Sequence, residues 1–307
     1  MVNTYEMLRK ARAQNYAVGA FNVCNMELIQ GISEACKKLN SPVIFQVSPG
    51  SIRYAGLNLL VNMVKCSVEE TGIHAALHLD HGDTFELCKK CIDAGFTSVM
   101  IDGSNLNFNE NIKICKQVVD YAAPRNVSVE GELGQLSGFE EHMNNTENFY
   151  TNKNQVVEFV EKTGINSLAV AIGTSHGVCK FKKDVKPNLK FDLLDEISEL
   201  LPEFPLVLHG ASSVEPKIIQ EAQNYGMKFE KTQGIPEEIL LRAARGSICK
   251  INIDTDIRLA VTLNLRKFFS ENNHEFDPRS YFKVIRTTVE QIVKLKIKNV
   301  LNSQDKA

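Results

Sequence analysis

The sequence shows no excess of charge of either sign, no long apolar run and no leader-like start. Its 307 residues include 35 Lys and Arg against 37 Asp and Glu, for a formal net charge of −2. Nucleic-acid binders usually carry a basic excess, so this balance argues against that class. No apolar run approaches the ~20 residues of a membrane-spanning helix, and residues 1–6 lack the basic and apolar segments of a signal peptide. We therefore expect a cytoplasmic protein that binds neither nucleic acid nor membrane.

Cysteine is sparse and familiar nucleotide motifs are absent. Eight cysteines stand at irregular spacing, which is unlike the framework of a secreted disulfide-rich domain and predicts free thiols in a reducing compartment. The Cys88–Cys91 pair has CxxC form but lacks the second pair that a structural zinc site needs. Neither GxxxxGK[ST] nor GxGxxG occurs, so the sequence implies neither nucleotide hydrolysis nor a Rossmann cofactor.

What the sequence does contain is a rhythm of eight short apolar runs, most of them followed by a segment with helical periodicity. The runs are Tyr16–Val23, Pro42–Ser48, His74–His81, Ser98–Ser104, Val127–Gly134, Ser167–His176, Leu206–Ser212 and Ile248–Asp256. Alternating strands and helices predict a parallel sheet, and eight such units predict an α/β fold of the closed (β/α)8 TIM-barrel type. An open doubly wound sheet is the alternative, but it would gather its ligands at one crevice. No linker interrupts the pattern, so we expect one domain over 1–307.

Two segments depart from this rhythm. The stretch of about 135–151 is long and polar, which is typical of a mobile loop over an active site. The tail over about 278–303 carries an apolar stripe at helical spacing and is predicted to form a C-terminal helical extension. Such a helix either packs on its own domain or joins a partner subunit, and the sequence leaves both open.

Three histidines stand at the ends of three different runs. They are His81, His176 and His209, out of seven histidines in the chain. A single histidine is more often a packed or surface residue, but barrel strands bring their carboxyl ends to one mouth. Three neutral imidazoles from separate elements, with a fourth position open, are typical of catalytic zinc. His78 lies deeper in its run, where we expect a packed and hydrogen-bonded residue.

Acidic and anion-binding groups share the same predicted rim. Asp80 is adjacent to a candidate metal ligand, which suits a general acid/base, whereas Asp102 and Glu132 suit extra metal ligands or residues that orient them. Small residues that expose backbone N–H groups at helix starts favour phosphate, especially after the last strands of a barrel. Segments of this kind follow the sixth, seventh and eighth runs, at residues 177–180, 210–212 and 254–258.

Taken together, the motifs resemble class II, zinc-dependent fructose-bisphosphate aldolase, in its shorter B-type branch. The likeness covers almost the whole chain and rests on six motifs in order: Leu79–Gly82, Met100–Ser104, Val129–Gly134, Ala171–Gly177, Leu208–Ser212 and Ile251–Arg258. The resemblance implies reversible aldol cleavage of fructose 1,6-bisphosphate to dihydroxyacetone phosphate and glyceraldehyde 3-phosphate in glycolysis and gluconeogenesis. It also implies a homo-oligomer, dimer or tetramer, and a monovalent cation, Na⁺ or K⁺, beside the phosphate loops.

The resemblance assigns roles to individual residues. Zinc would be held by His81, His176 and His209, with Asp102 and Glu132 at a second or alternative metal position. Asp80 would exchange the proton of the C4 hydroxyl, and Glu140, in the polar loop, would move the proton on the enediolate carbon. The substrate-binding residues that it implies are Ser48, Gly177, Lys180, Gly210, Ala211, Ser212, Asn252, Ile253, Asp254, Thr255, Arg258 and Arg279. Of these, Ser48 and Arg258 would serve the aldehyde-phosphate half, and Arg279 would reach it from a neighbouring subunit.

Three other functions compete with this interpretation. Tagatose-1,6-bisphosphate aldolase shares the fold and chemistry, but it tends to have Ala and Lys where this chain has Asp254 and Arg258. A zinc hydrolase on a barrel often takes a His-x-His pair from one strand, and the sequence has no such pair. A catalytically inactive scaffold would not need Asp80 beside His81. Lys180 is better suited to a phosphate than to a Schiff base.

Overall fold

Eight parallel strands close into a barrel, each paired with its neighbours in chain order. The structure, a computed structural model, describes residues 1–135, 137–140, 143–145, 150–176, 181–182, 189–214, 216–228 and 232–307, with the backbone alone at 137–140, 143–145, 176, 181–182, 216 and 232–233. The barrel strands are β1 (Val18–Asn22), β2 (Val43–Val47), β3 (Ala75–Gly82), β4 (Ser98–Ile101), β5 (Ser128–Leu133), β6 (Ser167–Val170), β7 (Leu206–Leu208) and β8 (Ile248–Ile253). The predicted (β/α)8 barrel with a C-terminal helix is confirmed.

Closure is visible at the first strand, which pairs on both sides. Gly19 in β1 aligns with Val43 in β2 and with Ile251 in β8. Successive side chains of a strand point to opposite faces of the sheet. One set packs under the helices, so the strands are largely apolar, and the other set fills the barrel. Several of the interior side chains are polar and fully buried, among them Gln46, His78 and Lys250.

Twelve α-helices surround the barrel in the described part of the chain. They are α1 (Thr4–Gln14), α2 (Met26–Leu39), α3 (Pro49–Ala55), α4 (Leu57–Thr71), α5 (Phe85–Ala94), α6 (Phe108–Ala122), α7 (Val156–Thr163), α8 (Phe191–Leu200), α9 (Pro216–Asn224), α10 (Glu237–Arg245), α11 (Thr255–Glu271) and α12 (Pro278–Lys296). Their starts follow local rules: Asn25 and Thr84 accept hydrogen bonds from the third residue of the helix that follows. Of these helices, none combines the length and apolar character that crossing a bilayer requires.

The C-terminal helix α12 packs on the protein's own barrel, against α2 and α11. The contact with α2 is close at Gly31, where a Cβ would lie 2.7 Å from the carbonyl oxygen of Arg286. A π-helical turn, Ile297–Leu301, continues α12, and the carbonyl of Leu301 accepts a hydrogen bond from Ala17 at 2.9 Å. The tail is therefore attached both to the helical layer and to the start of β1.

The observed strands are shorter than the predicted runs at their polar ends. β4 ends at Ile101, β7 at Leu208 and β8 at Ile253, because the polar residues that follow turn away to begin loops or helices. In the predicted polar loop, the backbone forms two short antiparallel strands, Ser137–Glu140 and Met143–Asn145. The seven cysteines in the described part of the chain are free thiols, as predicted.

Candidate active site

Two of the predicted histidines meet at the carboxyl end of the barrel. The rings of His81, at the end of β3, and His209, after β7, have centroids 4.8 Å apart. His81 adopts a φ of 46°, which is uncommon for a residue other than glycine and is typical of functional positions. Its Nδ1 lies 2.8 Å from Oδ2 of Asp102. Burial opposes the charge of Asp102, but hydrogen bonds from His81 and Ser104 outweigh it and hold the pKa of Asp102 below its usual range.

His209 is held from beneath by a carboxylate. Its Nε2 lies 2.8 Å from Oε1 of Glu130 on β5, and both side chains are buried. Burial disfavours a charged imidazole, but the adjacent carboxylates of Glu130 and Glu132 outweigh it and raise the pKa of His209. In each histidine, then, one ring nitrogen is engaged by a carboxylate. A carboxylate in that position orients a metal-binding imidazole and selects its tautomer.

Glu132 completes a group that could hold a metal ion. One donor atom from each of His81, Glu132 and His209 lies within 4.8 Å of the others. Oε2 of Glu132 is buried with no hydrogen-bond partner in the described part of the chain, and it lies 3.4 Å from Nδ1 of His209. Two imidazoles and a carboxylate are a donor set that zinc accepts. The residues therefore fit a divalent transition-metal ion, and Asp102 lies behind His81 as an orienting group.

Asp80 lies beside this group and is held by two amides. Asn22 donates from Nδ2 to Oδ2 of Asp80 at 2.8 Å, and Asn252 donates to Oδ1 at 3.2 Å. Gln46 in turn donates to the side-chain carbonyl of Asn22 at 3.0 Å. The carboxylate is buried, and its Oδ1 is 3.9 Å from Nε2 of His81. A buried acid in a fixed orientation next to candidate metal ligands suits proton transfer.

Deeper in the barrel lies a buried charged cluster of Glu130, Lys250 and His78. Lys250 Nζ donates to both carboxylate oxygens of Glu130, at 3.1 and 2.9 Å, and lies 3.2 Å from Nε2 of His78. Nδ1 of His78 lies 2.8 Å from the hydroxyl of Ser98. His78 is thus packed and hydrogen-bonded, as its place in the run predicted. Burial and the neighbouring ammonium of Lys250 hold the pKa of His78 well below its usual range.

The loop after β7 passes close to Ser175, in the segment that follows β6. Gly210 has a φ of +59°, and a Cβ there would lie 2.8 Å from the backbone of Ser175. Only glycine tolerates both the left-handed backbone and this approach. Ala211 and Ser212 follow and are buried. The loop is therefore pressed against the segment that carries His176.

At the end of β8, Ile253 is buried and Asp254 takes the N-cap position of α11. Thr255 is the first residue of that helix. Asp254 does not cap α11 with its side chain; it pairs instead with Arg258, at 2.8 Å from both Nε and Nη2. The Arg258 side chain is 66% exposed, so this pairing holds a guanidinium at the surface, one helical turn beyond the end of β8.

The remaining predicted residues lie at the edge of the site or away from it. Ser48 is buried at the end of β2 and caps α3 by accepting a hydrogen bond from Ser51 at 3.2 Å. Arg279 is paired with Asp277 at the start of α12, and its side chain is 90% exposed. The structure does not bring Arg279 into the group around Asp80. The side chains of Glu140 and His176, and all of Gly177 and Lys180, lie outside the described residues.

Asn22, Glu130 and Lys250 are among the residues of the site that had no role assigned from the sequence. Each breaks an apolar run with a polar group, which is a usable signal in hindsight. Glu130 and Glu132 also stand two apart in one strand, so both face the barrel interior. A lysine within the run Ile248–Ile253 indicates a buried partner, because lysine is almost never fully buried unless paired.

Comparisons with known proteins show which chains this one is similar to. The sequence matches the family model "Fructose-bisphosphate aldolase class-II" over residues 2–306. It is 44% identical to a fructose-bisphosphate aldolase of Treponema pallidum (strain Nichols), over 100% of this chain and 98% of that protein. A fructose-bisphosphate aldolase of Giardia intestinalis is 46% identical, over 95% of this chain and 90% of its own length. Among solved structures, the YdjI aldolase of Escherichia coli K12 superposes with a TM-score of 0.79 at 28% identity, over 100% of both chains.

Proposed function

The chain belongs to the class II fructose-bisphosphate aldolase family, whose members are metal-dependent aldolases, and on that premise we propose how its own residues carry the reaction. The substrate would be fructose 1,6-bisphosphate, cleaved reversibly to dihydroxyacetone phosphate and glyceraldehyde 3-phosphate. The observation that carries the proposal is Asp80, fixed by Asn22 and Asn252 beside the His81, Glu132 and His209 group. This arrangement supports a proton acceptor next to a candidate metal site at the carboxyl end of the barrel.

We propose that the metal is zinc, held by His81 and His209 with Glu132, and with His176 as the family resemblance implies. When bound, zinc would act as a Lewis acid towards oxygens of the substrate and stabilise the negative charge that cleavage creates. The chain prepares this site in advance. Asp102 and Glu130 each engage one nitrogen of a histidine, so the nitrogen that faces the metal is fixed before binding.

Asp80 is the proposed acid/base for the C4 hydroxyl. In cleavage its carboxylate takes the hydroxyl proton as the C3–C4 bond breaks, and in condensation it returns the proton. Asn22 and Asn252 each donate to one of its oxygens, which holds the plane of the carboxyl group. Glu140 is proposed, from the resemblance, to move the proton on the enediolate carbon.

The two phosphates are proposed to bind on opposite sides of this centre. The ketose phosphate would lie against Gly210–Ser212 and Asp254–Thr255, together with Gly177 and Lys180. The other phosphate would meet Ser48 and Arg258, with Arg279 supplied by a neighbouring subunit. Anchoring both ends of the sugar lets binding energy orient the bond that breaks.

A coupled assay tests the proposal. Purified protein is given fructose 1,6-bisphosphate, and triose phosphate is measured before metal removal, after complete chelation and after zinc is restored. We expect activity, loss and recovery in turn. Activity that survives complete metal removal would contradict the metal site, and no cleavage by the metal-loaded protein would contradict the substrate.

Three finer assignments belong to the same proposal. With that substrate, we propose a role in glycolysis and gluconeogenesis, in the cytoplasm. A homo-oligomer would be needed for Arg279 to act across subunits, and light scattering of the purified protein would measure its mass. A monovalent cation beside the phosphate loops would appear as a dependence of KM on Na⁺ or K⁺, with a tetraalkylammonium salt as the control.

A further inference from the structure

The loop after β7 is held in place by a carboxylate from the next strand-helix unit. Asp256, in the first turn of α11, accepts hydrogen bonds from the N–H of Ser213 at 3.2 Å and of Val214 at 3.0 Å. It also accepts one from the hydroxyl of Ser213 at 3.1 Å. Asp256 is buried. One side chain therefore fixes two successive peptide groups of the loop that follows Leu208.

The charge of Asp256 is balanced by a lysine from outside the barrel. Lys296, at the end of α12, is buried, and its Nζ lies 2.9 Å from Asp256 and 2.9 Å from Glu237. It also donates to the hydroxyl of Ser213. Burial opposes the ammonium charge, but Asp256 and Glu237 outweigh it and raise the pKa of Lys296. The lysine is therefore charged at neutral pH and joins α10, α11 and α12 at a single point.

A third segment closes this arrangement from the other side. A Cβ on Gly234 would lie 2.3 Å from the carbonyl of Ser213, and the N–H of Ile235 donates to the carbonyl of Ser212 at 3.2 Å. Residues 212–214 are therefore held by hydrogen bonds and close contacts from both side chains and backbone. The N–H groups of Ser213 and Val214 already donate to Asp256. A phosphate bound by this loop would therefore be contacted by residues 210–212.

We propose that Lys296 and Asp256 are positioning residues that set the affinity of residues 210–212 for the phosphate of the ketose half. The proposal rests on the placement of that phosphate under Proposed function. Neither residue touches substrate in this account. Lys296 holds Asp256, Asp256 holds the peptide groups of residues 213 and 214, and the preceding three residues then present a fixed anion site. The C-terminal helix thereby acts on substrate binding from outside the barrel.

The test uses the full-length, metal-loaded protein and two variants, Lys296→Met and Asp256→Asn. Methionine matches the length of lysine without its charge, and asparagine keeps the shape of aspartate. For each variant we expect the KM for fructose 1,6-bisphosphate and the inhibition constant of inorganic phosphate to rise by about tenfold, or about 1.4 kcal/mol. We expect kcat and bound metal to stay close to wild type. Lys298→Met, an exposed lysine in the adjoining π-helical turn, is the matched control and should behave as wild type.

A purely structural role gives a different result. It would lower the melting temperature while leaving KM and phosphate inhibition unchanged, and that outcome overturns the proposal. If Lys296→Met does not fold, Asp256→Asn decides the question by the same two measurements. Ser212→Ala separates the inference from the function on which it rests. If Ser212→Ala weakens phosphate binding and the two positioning variants do not, only the inference fails; if wild type shows no phosphate inhibition and Ser212→Ala changes nothing, the phosphate site itself is wrong.

Discussion

Nε2 of His209 lies 2.8 Å from Oε1 of Glu130, on a strand two positions away around the barrel. Burial opposes the charge of Glu130, but Lys250 and the two neighbouring histidines, His78 and His209, outweigh it and hold its pKa well below its usual range. The carboxylate can then only accept, so Nε2 must carry the hydrogen. Nδ1, which is 3.4 Å from Glu132, is left as the nitrogen for a metal. Glu130 therefore selects the tautomer that the proposed metal site requires.

Replacing Glu130 with glutamine should weaken metal binding without removing a ligand. The amide offers Nε2 both a donor and an acceptor, so the tautomer is no longer imposed. We expect the affinity for zinc to fall by about 10- to 100-fold, measured by competition with a chromophoric chelator. Glu158→Gln, an exposed residue of α7 paired with Lys162, is the control and should bind zinc as wild type does. An unchanged affinity in Glu130→Gln would contradict the orienting role.

The strands and the residues at their ends can be predicted from the sequence, but the partners of Glu130 cannot. The eight runs could be found because buried strands need continuous apolar side chains, and Asp80 and His81 stand where such a run ends. That information is local. The partners of Glu130 are not local: Lys250 is 120 residues away and His209 is 79 residues away.

Distant pairing depends on strand register, which a single sequence does not reveal. The apolar pattern places Asn22, Asp80 and Asn252 near the ends of β1, β3 and β8. It does not say that two amides would each meet one oxygen of the same carboxylate. The start of α11 is a different case, because its signals are local. Residues 254–258 are predicted to lie at a helix start, and in the structure Thr255 begins α11 after Asp254 at the N-cap.

Asp80→Asn should lower the rate of the chemical step while leaving the metal in place. Asn22 and Asn252 would then face an asparagine side chain in place of the Asp80 carboxylate. No group would remain to accept the C4 hydroxyl proton. We expect kcat to fall by about 100-fold or more, with bound zinc unchanged by elemental analysis. Asp83→Asn removes an exposed acid at the same strand end and should keep full activity. A variant with normal kcat would require another proton acceptor.

Zinc should stabilise the folded protein as well as activate it. A ligand present at about 100 times its Kd raises the free energy of unfolding by about 2.7 kcal/mol, so the metal-loaded protein should melt at a higher temperature than the chelated one. Differential scanning calorimetry measures both. His209→Ala removes one of the clustered donors and should melt at the same temperature with and without zinc. A zinc-dependent shift that persists in His209→Ala would place the metal elsewhere.

Arg258 should contribute to the choice between sugars. Its guanidinium pairs with Asp254 through two nitrogens, a geometry that lysine cannot reproduce. We expect kcat/KM to favour fructose over tagatose 1,6-bisphosphate by at least about tenfold, or about 1.4 kcal/mol, and Arg258→Lys to reduce that ratio. Arg266→Lys, on the same helix and bonded to the carbonyl of Tyr225, is the control. Equal rates of wild type on both sugars would refute the assignment.

The buried pair of Lys250 and Glu130 should give the metal-free protein a pH dependence that reverses when the lysine is removed. In wild type the pKa of Glu130 is below its unfolded value of 4.5. Its contribution to stability is therefore present above pH 4.5 and is lost as pH falls through the lower folded pKa. In Lys250→Met the largest favourable neighbour is gone and burial raises the pKa of Glu130 instead.

That variant should lose about 3–5 kcal/mol at neutral pH, since a buried charge is left without its partner, and should regain stability as pH falls towards the raised pKa. Urea unfolding of chelated protein between pH 7 and pH 4 measures both slopes, which should have opposite signs near pH 5. The double variant Lys250→Met with Glu130→Gln carries neither charge, so its slope should lie between the two and its stability should exceed that of Lys250→Met. Parallel slopes in wild type and Lys250→Met would mean that Glu130 does not depend on the lysine for its charge, and that His78 and His209 keep it ionised.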